Sequence, residues 1–275
     1  METPSYRNAQ GHRYPRRYTE SLPSLDLSIV VPALNEERQI PTLAERVRAY
    51  LAASPWSWEL IVVDDGSADR TAAIVEEEAR RDGRIRLVRG ERRGKGAAVR
   101  RGLLEARGGW RFMADADLAV PLDQLPRFVH ALEDAAVDIV IGSREAPGAE
   151  RVGESAARHA LGRFFNAVVR TVALPGIADT QCGFKMLRAA AAERILPLLT
   201  IDGFAFDVEM LFVARRAGLR VVEVGVVCQY EPGSRVNPGR GAKAFADVLR
   251  IRWNAWRGRY RGAAPAFAVN DPTLS

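Results

Sequence analysis

With 275 residues, 47% of them hydrophobic and 27% charged, the chain has ordinary globular composition and the length of one large domain. It holds no apolar run of about 18 residues and opens on no charged-apolar-small leader, so neither a spanning helix nor secretion is expected, and the expected compartment is the cytosol. The net charge of +6 raises an anionic partner, whose kind depends on where the charge sits.

Residues 1–24 carry Arg7, Arg13, Arg16 and Arg17 among Pro4, Pro15 and Pro23 without sustained apolar periodicity, and are expected to be a mostly disordered basic arm. Short, nearly unbroken apolar runs rich in Val and Ile then recur: Leu27 to Val31, Leu60 to Val63, Ile85 to Val88, Phe112 to Ala114 and Ile139 to Ile141. Such runs suit parallel strands buried on both faces. Helical faces fall between them, with Leu43, Val47 and Leu51 on one and Ala72, Val75 and Ala79 on another, and Asp69 precedes Thr71 at a helix start. Alternating strands and helices predict a doubly wound α/β domain over 25–238, with ligands at the carboxyl ends of the strands.

Polar clusters follow several of these runs. Pro32-Ala33-Leu34-Asn35-Glu36-Glu37 comes after the first, and Asn35-Glu36 reads equally as helix capping or as part of a nucleotide site. Asp64-Asp65-Gly66-Ser67 follows the second. A turn with an N-cap explains part of it, but adjacent carboxylates at a strand end also suit a base or ribose hydroxyls. Arg92-Arg93-Gly94-Lys95-Gly96 precedes an Ala-rich helix from Ala97 to Ala106, where backbone amides can approach an anion. It has neither dinucleotide-fingerprint nor Walker spacing and follows the third strand, which argues against a Rossmann oxidoreductase. Asp115-Ala116-Asp117 follows the apolar stretch ending at Ala114. On a strand, aspartates at i and i+2 share a face and hold a divalent metal; in a solvated loop they need not. The two cysteines, Cys182 and Cys228, supply neither a disulfide framework nor zinc spacing and read as packed thiols.

In this order, Val30-Val31-Pro32-Ala33-Leu34-Asn35-Glu36-Glu37, Val62-Val63-Asp64-Asp65-Gly66-Ser67, Arg93-Gly94-Lys95-Gly96, Asp115-Ala116-Asp117 and Gly142-Ser143-Arg144 resemble the family 2 glycosyltransferases of the GT-A fold. The later segments Asp179-Thr180-Gln181-Cys182-Gly183-Phe184-Lys185, Phe204 to Glu209 and Glu231 to Val236 are similar to those of the dolichyl-phosphate glucosyltransferases and their polyprenyl-phosphate relatives, with the mannose synthases as close cousins. The resemblance implies a mixed, mostly parallel sheet in a single catalytic domain. It implies a nucleotide-sugar site at Pro32, Ala33, Asn35, Glu36, Asp64, Asp65, Lys95, Asp115 and Ala116. It also implies Mg²⁺ or Mn²⁺ on Asp115 and Asp117, and acceptor contacts from Arg144, Arg158, Gln181 and Lys185. Where the mannose synthases often carry Gln two residues past the second Asp, this chain has Ala119, so Gln181, water or phosphate would complete the metal shell.

The implied activity is inverting, metal-dependent transfer of a hexose, glucose before mannose, from UDP or GDP to a polyprenyl or dolichyl phosphate. Asp115, Asp117, Arg144 and Arg158 would act on the phosphates. A hydroxyl acceptor would instead demand a general base, for which Asp207 and then Glu209 are candidates, unless they are simply an acidic first helical turn. The alternatives are transfer to a soluble or polysaccharide hydroxyl and a non-catalytic nucleotide-sugar-binding protein.

From Gly239 to Gly262 the cations Arg240, Lys243, Arg250, Arg252, Arg257, Arg259 and Arg261 face one acid, Asp247, which accounts for the whole net charge. With no recognisable nucleic-acid module beside it, nucleic acid is not an expected partner. Phe245, Val248, Leu249, Arg252 and Trp256 keep helical spacing, while Trp253, Arg257 and Tyr260 are interfacial residue types. Residues 239–275 therefore read as a basic amphipathic helix and tail, either resting on the cytoplasmic membrane face or packed on the domain.

Overall fold

The computed structural model describes residues 5–7, 13–15, 25–154, 156–229 and 238–263. In the arm expected to be disordered, two short strands, β1 (Ser5–Arg7) and β2 (Arg13–Pro15), pair antiparallel, and the rest of 1–24 lies outside the described residues.

Each apolar run forms a strand: β3 (Leu25–Ala33), β4 (Trp58–Asp64), β5 (Ile85–Arg89), β6 (Gly108–Met113) and β7 (Ile139–Ser143). Between them run α1 (Gln39–Leu51), α2 (Thr71–Arg81), α3 (Lys95–Glu105) and α4 (Leu125–Glu133). The chain continues through β8 (Glu150–Val152), α5 (Ala156–Val172), β9 (Lys185–Arg188), α6 (Ala189–Ile195) and α7 (Phe206–Arg216). It then forms β10 (Val221–Gly225), β11 (Val227–Gln229) and α8 (Pro238–Trp256).

The seven-stranded sheet has the order β10-β7-β9-β6-β3-β4-β5. Its pairings are parallel except those of β9, which lies antiparallel between β6 and β7. Strand alternation sends side chains to two cores. Leu27, Ile29 and Val31 pack with Leu43 and Val47 of α1, Val75 of α2 and Phe128 of α4, while Val30, Val63 and Met113 pack with Val99 of α3 and Val208 of α7.

The run Lys185–Arg188 gave no strand signal because half of its residues are cations. Both are buried by specific partners: Arg188 donates through Nε to the Val137 carbonyl at 2.7 Å, and Lys185 to an acid of α7.

Helix α8 packs through Ala244, Val248, Ile251 and Asn254 and exposes Leu249, Trp253 and Trp256. The stripe expected from the spacing is thus split, with Val248 facing inward and Leu249 and Trp256 outward. Tyr260, expected at an interface, is 1% exposed and donates through Oη to Glu209 Oε1 at 2.6 Å.

Candidate active site

A cleft of about 900 Å³ opens at the carboxyl ends of β3, β4, β6 and β7. Its first wall is made by loops tied across the sheet. Asn35, in left-handed backbone conformation at φ 59°, donates its N–H to Ser67 Oγ and accepts from the Ala68 N–H through Oδ1, both at 2.9 Å. The Glu36 N–H donates to Thr71 Oγ1 at 2.8 Å, and Asp64 Oδ1 accepts from the Ser67 N–H at 3.1 Å. These bonds bring Pro32, Ala33, Glu36 and Asp65 to the cleft wall; Asn35, exposed elsewhere, and the buried Asp64 are not part of that wall. Asp65 is itself engaged, its two oxygens accepting from the Arg93 and Gly94 N–H groups at 3.0 and 2.8 Å.

The loop before α3 does not offer its amides to an anion. The Gly96 and Ala97 N–H groups donate to the Asp202 carbonyl at 2.9 and 3.3 Å, satisfying donors that a helix start otherwise leaves open. Gly94 holds φ 125°, and a Cβ there would stand 2.6 Å from that same carbonyl, so the close approach requires glycine. What the loop gives the cleft is Lys95, whose Nζ donates to Asp115 Oδ1 at 2.6 Å.

Asp115 and Asp117 do not share a strand face, because β6 ends at Met113. The chain turns there: the Leu118 N–H donates to the Asp115 carbonyl at 3.1 Å, and Asp117 Oδ1 accepts from the Ala119 N–H at 3.1 Å. Asp115 is half-buried, Asp117 is exposed, and both line the cleft with Ala116 between them. A Cβ on Gly183 would lie 2.2 Å from Asp115 Oδ2, so glycine is what lets the Gln181–Phe184 segment close on the carboxylate. Burial disfavours the Asp115 charge, but Lys95, with Lys185 and Arg144 beyond it, outweighs that and lowers its pKa. Glu36 is raised by burial and by the charges of Asp117 and Asp115. An excess of carboxylates with oxygen donors only suits a hard divalent cation. Among the described residues no group of three or more His, Cys, Asp or Glu side chains could hold a metal.

The opposite wall pairs its charges. Arg144 lines the cleft and grips Asp179 in a fork, Nε to Oδ2 at 2.7 Å and Nη2 to Oδ1 at 3.0 Å. Asp179 is fully buried; burial would raise its pKa, and Arg144 holds it down to about 2. Glu223 of β10 accepts from the Ala178 and Asp179 N–H groups. Gln181 lines the cleft, and its buried amide nitrogen has no hydrogen-bond partner among the described residues.

Three expectations change here. Lys185 is 0% exposed and donates to Asp207 Oδ1 at 2.6 Å and to the Cys182 carbonyl, so it faces the interior and not an acceptor. Asp207 sits in that ion pair behind the cleft wall. Glu209, also 0% exposed, accepts from the Thr200 and Ile201 N–H groups and from Tyr260 Oη, which makes it a tie between α7 and the chain beyond α8. Arg158 falls in α5, with its side chain outside the described residues. Sequence reasoning assigned no role to Asp179, Asp202 or Glu223; only Asp179 stood in a segment singled out for its pattern.

The sequence profile of "Glycosyl transferase family 2" matches residues 28–196, which span β3 to the end of α6 and carry most of the cleft wall. The chain belongs to glycosyltransferase family 2. It is 35% identical over 263 residues to the dolichyl-phosphate beta-glucosyltransferase of Dictyostelium discoideum, covering 90% of this chain and 80% of that protein. It is 32% identical over 269 residues to the one of Homo sapiens, covering 91% and 83%. Among solved structures, the glucosyl-3-phosphoglycerate synthase of Mycobacterium tuberculosis, in complex with Mn²⁺, UDP and glucosyl-3-phosphoglycerate, superposes with a TM-score of 0.62 at 22% identity, over 83% of this chain and 80% of that one. That likeness concerns the fold, the GT-A arrangement. As a family 2 glycosyltransferase the chain has the expected mixed, mostly parallel sheet, with its cleft at the strand ends.

Proposed function

We propose that this glycosyltransferase moves glucose, with inversion, from UDP-glucose to a polyprenyl or dolichyl monophosphate. The observation that carries the reading is how the wall charges are disposed. Lys95, Asp115 and Asp117 gather at the end of β6, Arg144 stands on the facing wall, and Asp207, the candidate general base, is locked against Lys185. A phosphate monoester with a second pKa of about 6 is largely dianionic at neutral pH and attacks without a base. The names of the 32–35% identical relatives favour the same donor sugar and acceptor.

Asp115 and Asp117 would hold the Mg²⁺ or Mn²⁺, with diphosphate oxygens and water completing its shell. Bound there, the ion offsets charge on the departing diphosphate. Pro32, Ala33 and Glu36 line the end of the cleft that would take the nucleoside, with Asp65 fixing the neighbouring loop. Lys95 adds a cation where the leaving group's charge develops. Arg144, held rigid by Asp179, orients the acceptor dianion for in-line attack, and Arg158 is proposed as a second cation from the family resemblance. Gln181 offers its unpaired amide nitrogen as a donor to sugar or phosphate oxygens, and its amide oxygen would be the ligand toward the metal.

A lipid acceptor also gives α8 its meaning. Among the described residues no helix is long and apolar enough to cross a membrane. Yet α8 exposes Leu249, Trp253 and Trp256, at 63, 53 and 77%, beside Arg250, Arg252 and Arg257, while Lys243 and Asp247 of the same helix line the cleft. Apolar and aromatic side chains among cations suit an anionic bilayer surface, at about 1 kcal/mol per nearby cation. Trp253→Ser/Trp256→Ser should lose flotation with phosphatidylglycerol vesicles while keeping its melting temperature; equal flotation would remove the membrane contact.

The transfer itself is tested by incubating the protein and Mn²⁺ with labelled UDP-glucose, GDP-mannose or UDP-N-acetylglucosamine plus polyprenyl phosphate. Label should enter the organic phase from UDP-glucose. Label that stays in water with every donor would reject the lipid acceptor.

A further inference from the structure

Behind the cleft wall lies a buried ion pair, Lys185–Asp207, that the proposed transfer leaves without a task. Lys185 opens β9, opposite Met113 of β6, two residues before Asp115. Its ammonium is shared between Asp207 and the Cys182 carbonyl, and the chain just beyond Cys182 is Gly183, whose missing Cβ lets it close on Asp115. Asp207 lies in the first turn of α7, directly after Phe206. A Cβ on Gly96 would stand only 2.5 Å from Phe206 Cβ, so the start of α3, which carries Lys95, is seated on the start of α7. Lys95 then donates to Asp115. Two ion pairs thus stand one behind the other, Lys185–Asp207 inside and Lys95–Asp115 at the cleft, and the Asp207 charge also acts on Lys95, after Asp115, in favouring its protonated form.

Stability is a poor explanation for the inner pair. A buried ion pair is costly to desolvate, and apolar residues of similar volume are often as stable or more so, whereas removing one partner alone is strongly destabilising. We propose that Lys185 and Asp207 are a positioning pair: Asp207 anchors the Lys95 ammonium from below, and Lys185, through the Cys182 carbonyl, holds the Gln181–Gly183 segment against Asp115. This rests on the transferase reading of the same cleft and deepens it. Lys95 is needed where charge grows on the leaving diphosphate, so the pair acts on the transition state more than on substrate binding.

The test replaces both partners at once, Lys185→Met/Asp207→Leu, in the full chain. The melting temperature should stay within about 4 °C of the original, the order expected for about 1 kcal/mol in a chain of this size. With UDP-glucose and polyprenyl phosphate, kcat should fall at least about tenfold with donor KM within about threefold, the pattern of an interaction made in the transition state. A kcat within about twofold of the parent would overturn the proposal. Where the double variant does not fold, Lys185→Gln/Asp207→Asn keeps both shapes and removes both charges together, and the same two kcat outcomes decide. A second readout needs no turnover. The chain has three lysines, Lys95, Lys185 and Lys243, so acylation by a lysine-directed ester, followed by mass spectrometry, compares Lys95 with the exposed Lys243. An unanchored Lys95 samples solvent more and should label faster relative to Lys243 in the variant; an unchanged ratio also overturns the pair's role. A parent protein that makes no glycolipid rejects the transferase reading instead, and the labelling result still decides the pair.

Discussion

The two halves of the cleft treat their acids differently. Along β3, β4 and β6, side-chain-to-backbone bonds knit the loops together and leave Glu36, Asp115 and Asp117 on the cleft surface, with Lys95 among them. Along β7, β9 and α7, the acids are spent on partners inside the protein: Asp179 on Arg144, Asp207 on Lys185, Glu209 on Tyr260 and the backbone near Thr200. A carboxylate on the first wall can still face the cleft, as Glu36, Asp115 and Asp117 do, even where, like Asp115, it also holds a cation. One on the second wall is available only to the residue it already holds, and that residue, when it reaches the cleft as Arg144 does, is what the ligand meets.

The sharpest way to break this contrast is Asp117→Asn. The side chain is exposed, so stability should change by no more than about 0.5 kcal/mol. Activity should fall about a thousandfold in an assay of glycolipid formation, the scale of removing a key electrostatic group. Near-parental turnover would put Asp117 with the structural acids.

Asp179→Asn should reverse the balance, with a large loss of stability and a dependent loss of activity. It leaves the Arg144 guanidinium without its buried partner, at a cost of about 3 kcal/mol. The pH dependence has a definite sign. The folded-state pKa of Asp179, about 2, lies below its ordinary value of 3.8, so its stabilisation is complete above that ordinary value and is lost as pH falls through about 2. Urea midpoints of parent and variant should therefore stand apart at neutral pH and converge in acid. A constant gap down to pH 2 would mean that the Asp179 charge contributes nothing.

The first half was the more legible in sequence because its signals are local. Apolar runs mark β3 to β7, and the polar residues that follow them are, in fact, at the strand ends. Which of two neighbouring carboxylates faces the cleft was not legible. Asp64 and Asp65 read alike, and they part only through Ser67, three residues on, and the Arg93–Gly94 amides, 28 and 29 residues on. In the second half every decisive contact is distant: Arg144 to Asp179 spans 35 residues, Lys185 to Asp207 spans 22 and Glu209 to Tyr260 spans 51. A buried lysine or glutamate looks in sequence like a surface one. Lys185 and Glu209 were accordingly given to an acceptor and to base catalysis, and the strand that begins at Lys185 went unseen. On α8 the spacing identified a helix, but which stripe the domain covers depends on α5 and α7, which the helix's own sequence does not encode.

The smallest expected effect probes the first wall at Asn35, the residue there whose side chain ties a loop and was expected to touch the donor. Its φ of 59° is strained for alanine, and Asn35→Ala also removes the acceptor of the Ala68 N–H, so about 1–2 kcal/mol of stability should be lost. Asn35→Gly loses the same hydrogen bond but accepts the backbone angle without strain, and should cost less than the alanine variant. Both should leave donor KM within about threefold, because the tie acts on the loop and not on the ligand. A rise of about tenfold in KM for alanine and glycine alike, with stability unchanged, would mean about 1.4 kcal/mol of direct donor contact. Asn35 would then belong with the ligand-facing residues, and the boundary between knitting and binding on this wall would move one residue toward the cleft.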